Sequence, residues 1–281
     1  MKRLYFTLIA LIATLVASAQ TIKVYEYDSY GNLCSKPAYV SSKQVKVVFD
    51  DKSGVTDGYE WVDLGLPSGT LWATCNIGAN SPEQAGDYFA WGETAPKEEY
   101  SWSNYKWCEG SMNTMTKYCN SSEWGVVDNK MTLDPEDDAA TVNWGSNWCM
   151  PTADQIAELT KSDYTTVEFS TMNDVPVLKI TSKKNGNSIV LSPAGYWDWF
   201  DDEWFEKPWG ELLDSYFKGS ESWGFDFWSC EHPATLNGKP NASKANNFHS
   251  FSWFSEYYPL GRAYVNKRCN GLPIRPVRVK K

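Results

Sequence analysis

The chain has 281 residues, a formal net charge of −9 and an aromatic content dominated by 15 Trp and 16 Tyr. An acidic balance of that size opposes association with nucleic acid or an anionic membrane surface through bulk charge. With 19 Gly and 14 Pro spread through it, the sequence calls for frequent turns and a core of large rings rather than long Leu-lined helices.

Lys2 and Arg3 precede an almost wholly apolar run, Leu4 to Val16, and Ala17-Ser18-Ala19 follows with the small residues that signal peptidase reads. The pattern predicts a signal peptide over residues 1–19 and an exported chain, in the periplasm, on the outer surface or outside the cell. The apolar run is shorter than the roughly 20 residues a membrane-crossing helix needs. No second long apolar stretch occurs, so no integral membrane span is expected after cleavage. Losing Lys2 and Arg3 without losing an acid takes the net charge to −11. Thr21 to Tyr27 and Val45 to Phe49 are rich in β-branched and aromatic residues, with the turn-forming Asp28 to Asn32 after the first, and predict a small β module over residues 20–49. Asp50 to Gly58, polar and Gly-containing, reads as a linker to a main domain over residues 59–281.

In that domain, Trp61 to Leu64, Thr70 to Ala73 and Asp87 to Trp91 predict short strands. Asp134-Pro135 reads as an N-cap followed by proline at the first helical position. Thr152 and Gln155 have the spacing of a capping box, and Ile156 and Leu159 give the helix that follows an apolar edge. Val175 to Thr181 and Ser188 to Leu191 flank Asn185-Gly186, the strongest hairpin signal in the chain. Phe225 to Ser229, Asn246 to Trp253, Arg262 to Val265 and Ile274 to Val279 predict further strands. The stretches 104–130 and 198–222 predict long loops. Short antiparallel strands, two short helices and long loops make an α+β domain.

Seven Cys occur without a Cys-x-x-Cys pair, which excludes a zinc knuckle or a thioredoxin-like redox site. The odd count leaves at least one thiol unpaired within the chain, and Cys108 with Cys119 is the most plausible local bridge. There is no His-Glu-x-x-His, Gly-x-Ser-x-Gly, P-loop or Gly-x-Gly-x-x-Gly, so no catalytic residue is nominated.

Several ordered landmarks carry a family resemblance. Gly58 to Ala73 (GYEWVDLGLPSGTLWA) is the first, and Gly86 to Glu93 (GDYFAWGE) the next. Asp137-Asp138-Ala139-Ala140, Trp144-Gly145, Met150-Pro151-Thr152, Trp228-Ser229 and Gly271 to Val277 (GLPIRPV) follow. Over residues 58–279 the chain resembles the exported Bacteroidetes and Fibrobacter proteins that carry the Fibrobacter succinogenes major paralogous domain. That group is similar to the formylglycine-generating-enzyme-like branch of the C-type lectin fold. The resemblance implies a C-type-lectin-like domain whose two ends meet in one sheet and whose long loops carry any binding site. Two positions depart from the family's pattern: Cys149 replaces a basic residue and Cys230 a second Ser, and the two are candidates to be joined to each other or to Cys269. The paired catalytic cysteines of formylglycine-generating enzymes have no counterpart.

The most unusual segment is Tyr196 to Trp209, YWDWFDDEWFEKPW. Rings can stack on the apolar face of a pyranose while carboxylates accept from its hydroxyls or hold Ca²⁺. On that chemistry Tyr196, Trp197, Trp199, Asp201, Asp202 and Trp204 are the candidate ligand-binding residues. The alternative is that the rings are core and the acids the solvated side of a loop. Asp134, Glu136, Asp137 and Asp138 are a second acidic group; they could ligate calcium, but the EF-hand spacing is absent and the helix N-terminus is the favoured reading. Ser220 to Trp228 alternates like a core strand. The functional expectation is an exported or surface-associated binding protein with a glycan or surface protein as partner, needing no cofactor unless calcium. An enzyme of the formylglycine-generating-like fold, a glycan hydrolase, or a surface-assembly module without a small ligand are the alternatives.

Overall fold

The computed structural model describes residues 21–24, 38–41, 44–49, 53–195, 224–251 and 262–279. The chain divides into two compact units, Met1–Asp50 and Asp51–Lys281.

The first unit holds one antiparallel sheet of three strands, β1 (Thr21–Val24), β2 (Ala38–Ser41) and β3 (Gln44–Phe49), in the order β1-β2-β3. The middle strand was not anticipated. Its four residues, AYVS, are too short to show alternation, and a register shift between Tyr39 and Ser41 marks it as irregular.

The second unit begins with β4 (Ser53–Thr56), β5 (Tyr59–Asp63) and β6 (Thr70–Ala73). The linker reading of residues 50–58 is therefore corrected: Ser53–Thr56 pairs antiparallel with β5, and Asp57-Gly58, both at positive φ, turn the hairpin. A polar strand at a sheet edge leaves no apolar signal to read. Asp87 to Trp91 is also corrected. It forms only a bridge between Phe89 and Leu272, with reciprocal hydrogen bonds of 2.9 and 3.0 Å, rather than a strand.

Two short helices follow, α1 (Ala139–Trp144) and α2 (Ala153–Leu159). Asp134 precedes a 3-10 turn, Pro135–Asp137, and its side chain caps nothing there; the cap of α1 is Asp138, which accepts from the Thr141 amide at 2.9 Å. At α2 both halves of the capping box form: the Gln155 amide donates to Thr152 Oγ1 at 3.2 Å, and the Thr152 amide to Gln155 Oε1 at 2.9 Å. Ile156 and Leu159 are fully buried.

Strands β7 (Thr165–Met172), β8 (Val175–Ser182) and β9 (Ser188–Leu191) make a second antiparallel sheet. Asn173 and Asp174, at φ of 50° and 64°, form the two-residue turn between β7 and β8, the conformation that requires positive φ twice. Asn185-Gly186 lies within the five residues that join β8 to β9, which pair antiparallel as the expected hairpin. Next come β10 (Gly224–Trp228), the small hairpin β11 (Thr235–Leu236) and β12 (Lys239–Pro240), then β13 (Lys244–Phe251) and β14 (Arg262–Lys267). The third sheet has the order β10-β13-β14. The last strand, β15 (Val277–Val279), returns to pair with β6, giving a four-stranded sheet in the order β15-β6-β5-β4. All strand pairs among the described residues are antiparallel. The described second unit is thus α+β, with many short antiparallel strands in small sheets. No helix of the described residues is long and apolar enough to cross a membrane.

The core is built on indoles. Trp72, Trp91, Trp148 and Trp228 are at most 1% exposed. Truncating such a ring to Ala costs about 3–5 kcal/mol. Buried indole N–H groups need acceptors, and three find main-chain carbonyls: Trp91 donates to Ser229 O at 2.9 Å, Trp228 to Phe89 O at 2.7 Å and Trp148 to Thr56 O at 3.3 Å. The Trp72 N–H is buried without a partner. Phe225 and Phe227 pack with Trp72, Leu178 and Phe248, in accord with the core-strand reading; Trp223 lies outside the described residues.

The irregular stretch 105–130 is organised around one fully buried cation, Arg268. Its Nε donates to Tyr105 Oη at 3.1 Å, Nη1 to Tyr118 O and Ala242 O at 3.0 and 2.6 Å, and Nη2 to Lys117 O at 3.2 Å. The guanidinium carbon stands 4.5 Å from the centre of the Trp91 ring. Asp128 adds a second clamp, accepting from the amides of Tyr118 and Cys119, each at 2.8 Å. Where the stretch folds back, Gly125 sits at φ +144°, and a Cβ there would lie 2.1 Å from Met115 O, so the close backbone approach admits only glycine.

Candidate functional site

Tyr196, Trp197, Trp199, Asp201, Asp202 and Trp204 lie outside the described residues. What is described is where the chain leaves for that segment and where it comes back. Departure is from β9, whose Leu191 is buried. Ser192 Oγ accepts from Asn76 Nδ2 at 3.1 Å, and Ala194 O accepts from Tyr88 Oη at 2.5 Å. The return is into β10, where Phe225, Phe227 and Trp228 are at most 2% exposed. Residues 196–223 are therefore joined at both ends to core.

The second acidic group is described in full. Carboxylate oxygens of Asp134, Glu136 and Asp137 lie within 4.8 Å of one another, a grouping able to hold a metal ion. Lysines already contact two of the three. Lys117 Nζ stands 2.7 Å from Asp134 and 2.6 Å from Asp137, Lys130 Nζ 2.6 Å from Asp134, and Lys106 Nζ 3.1 Å from Asp137. Tyr118 Oη also donates to Asp137, at 2.7 Å. Bonds from Lys117 and Lys130 lower Asp134 to about 2. Burial raises Asp137, but Lys117, Tyr118 and Lys106 override it and leave it below the usual carboxylate range. Lys117 loses by burial and gains more from Asp134 and Asp137, so it stays charged. A divalent cation would have to displace these ammonium groups. Asp138 stands apart as the cap of α1, accepting also from the Met150 amide at 2.9 Å, with burial raising it above its ordinary value.

The sign of the acid response follows. Asp134 and Asp137 are depressed in the folded chain, so their stabilisation is complete above the unfolded carboxylate range, about pH 4, and is lost as pH falls toward 2. Asp138, shifted upward, opposes this. Asp137→Asn is expected to cost about 1–3 kcal/mol at pH 7, because it leaves Lys106 without its charged acceptor and Lys117 with Asp134 alone. It should also flatten the decline in urea midpoint between pH 5 and pH 2.5. An unchanged pH profile in that variant would remove Asp137 from the network.

The described cysteines do not bridge. Cys75, Cys108, Cys119, Cys149 and Cys230 are free thiols, and Cys34 lies outside the described residues. The Cys108–Cys119 pairing is corrected: Cys108 Sγ faces Trp102 O at 3.2 Å and Cys119 Sγ faces Ser121 O at 3.1 Å. The pairings among Cys149, Cys230 and Cys269 are corrected as well. Cys149 Sγ points at Val277 O at 3.7 Å, and Cys269 Sγ at Asn270 Oδ1 at 3.7 Å.

One surface groove, of about 290 Å³, was not anticipated; Gly65, Pro67, Asp163, Tyr164, Lys183 and Lys184 line it. Its lining comes from three separate parts of the chain, so no local pattern announces it. The lining combines one ring with two lysines and an acid, and Lys183 Nζ already donates to Ser162 O at 2.6 Å. His232 is buried, with Nε2 3.0 Å from Lys130 O and Nδ1 3.2 Å from Pro233 O. Burial, then Arg268, lowers its pKa, so it packs as a neutral ring against Trp91.

No family model, curated protein or solved structure matches the chain.

Proposed function

We propose that the chain is an exported or surface-associated binding protein that recognises a glycan through Tyr196 to Trp209. The observation that carries this reading is the composition of that segment, seven aromatic and five acidic residues in fourteen, strung between β9 and β10. Both strands are buried, which supplies the rigid base a recognition loop needs. Rings give contact area, and the acids Asp201 and Asp202 orient hydroxyls or share a calcium ion with them. A C-type-lectin-like frame, the fold of the Fibrobacter succinogenes major paralogous domain, is the finer reading of the α+β unit. It is supported by the return of β15 to β6, which joins the two ends of the unit in one sheet. Export rests on the sequence of residues 1–19.

The test is a glycan-array screen of the full chain, in calcium and in a chelator. Binding to a restricted set of glycans is expected. A flat array with surface proteins co-purifying would transfer the chain to the assembly-module reading.

A further inference from the structure

Strand β7 lies at a sheet edge: among the described strands it pairs only with β8, in the order β7-β8-β9. With eight residues it is the longest edge strand described in the second unit. β4, β9, β10 and β15 have three to five residues, and β14 has six and carries Arg262 and Lys267 at its ends. Short length and charged residues are among the means by which proteins keep sheet edges from pairing with other chains. β7 has no Lys, Arg or Pro. Its one charge, Glu168, already meets Lys179 of β8 at 3.3 Å.

The register with β8 determines which backbone groups this edge leaves over. The two-residue turn at Asn173-Asp174 makes Met172 and Val175 a hydrogen-bonded pair, and such pairs recur at every second position. Ser170, Glu168 and Thr166 therefore bond to β8, and the Lys183 amide continues the series by donating to Tyr164 O at 2.8 Å. Pro176, which has no N–H to give, falls in the alternate set, opposite Thr171. The N–H and C=O groups of Val167, Phe169 and Thr171 point away from β8, and none has a partner among the described residues. Thr165 ends the row, because its amide donates to Lys161 O at 3.1 Å.

The side chains along the edge are open to a partner. Thr166, Glu168, Phe169 and Thr171 are exposed. Phe169 is 38% exposed, with its ring centre 5.9 Å from that of the fully buried Phe225. When two β7 strands lie antiparallel with Phe169 opposite Phe169, Val167 falls opposite Thr171 and Glu168 opposite Ser170. This register joins the three leftover donors of each chain to the three leftover acceptors of the other. It sets two rings side by side and keeps like charges from facing each other. A register centred on Glu168 would place the two carboxylates directly opposite and call on the Thr165 amide, which is taken. One centred on Ser170 would match Val167 with the turn residue Asn173.

We propose that β7 is a self-association edge, on which a second copy of this chain pairs antiparallel about a two-fold axis at Phe169, making one sheet in the order β9-β8-β7-β7-β8-β9. The occupant is another copy because the edge is complementary to itself. A two-fold interface repeats every contact in reverse, and the pairs Val167 with Thr171 and Glu168 with Ser170 do so without a charge conflict. Strand addition at an edge draws its affinity from main-chain bonds and its specificity from alternate side chains. Val167, Phe169 and Thr171 supply both.

Sedimentation velocity of the full chain, from low to high micromolar concentration, is expected to show a reversible monomer–dimer equilibrium. Thr171→Pro removes an N–H that the chain's own ladder does not use, and the two-fold axis makes that one change delete two intermolecular bonds. It should weaken the dimer at least about tenfold while leaving the urea midpoint near that of the parent. Should that variant fail to fold, oxidative cross-linking decides. Phe169→Cys sets a thiol opposite its own copy, at the Cα spacing of about 5.5 Å that a disulfide spans, and mass spectrometry should find a dimer linked through position 169. Thr166→Cys, exposed on the same strand but far from the axis, should not link to itself. A single-chain mass at every concentration, a dimer indifferent to Thr171→Pro, or equal self-linking at positions 166 and 169 would overturn the proposal.

Discussion

Arg268→Met is expected to destabilise the chain by about 3–5 kcal/mol, the range for removing one member of a buried charged network. Methionine fills much of the same volume and carries no donor. Two buried carbonyls, Tyr118 O and Ala242 O, the part-buried Lys117 O and the Tyr105 hydroxyl would lose their shared partner. Each stranded buried acceptor costs about 1–3 kcal/mol. The contact with Trp91 is lost as well. Relief from burying a charge offsets part of this, which is why the expected total is below the sum. Urea denaturation gives the number, and hydrogen exchange gives the place: amides of residues 105–130 should lose protection before those of β5 and β6. Arg268→Lys should be intermediate, since a single ammonium cannot serve four acceptors in the plane of a guanidinium. A loss below about 1 kcal/mol in Arg268→Met would show that the stretch is held by Asp128 and its own packing.

Trp199→Ala combined with Trp204→Ala is expected to abolish binding of any glycan found on the array, a loss of at least about 100-fold if each ring contributes 1.5 kcal/mol or more through stacking. The urea midpoint should stay within the range of ordinary surface substitutions, about 0.5 kcal/mol. Core indoles behave oppositely. Trp228, fully buried and bonded to Phe89 O, should cost stability when truncated and change affinity only through unfolding. The contrast between the two kinds of Trp separates a recognition segment from core packing in one series of variants.

Local chemistry explains why some of the architecture could be read from the residues. The capping box of Thr152 and Gln155 is a contact between positions three apart, so its spacing announces it. The rings of Phe225 and Phe227 had nowhere to go but inward. Long-range satisfaction left no such trace. Arg268 lies in Asn266-Lys267-Arg268-Cys269-Asn270, which looks like a solvated turn; its acceptors Lys117 and Tyr118 are about 150 positions away in sequence. Arg275 belonged to a recognisable motif, yet its wrapping by residues 73–76 could not be seen in that motif. Asn173-Asp174 was passed over because neither residue is glycine, although both tolerate positive φ. Cysteine spacing misled for a related reason: Cys108 and Cys119 are close in sequence, but each thiol is already turned to a carbonyl within its own turn. At the acidic group, the residues suggested a helix cap with calcium as the alternative; only Asp138 caps, and the lysines that contact Asp134 and Asp137 come from outside the motif.

Hydroxyl-radical footprinting of the native full chain, read by mass spectrometry over Tyr196 to Trp209 with and without an array-selected glycan, tests the recognition proposal most directly. Trp199 and Trp204 should oxidise readily in the free chain, far faster than buried Trp72 and Trp228, and the glycan should protect them. Indoles at 199 and 204 as unreactive as Trp72, or reactive ones that the glycan leaves unprotected, would contradict it.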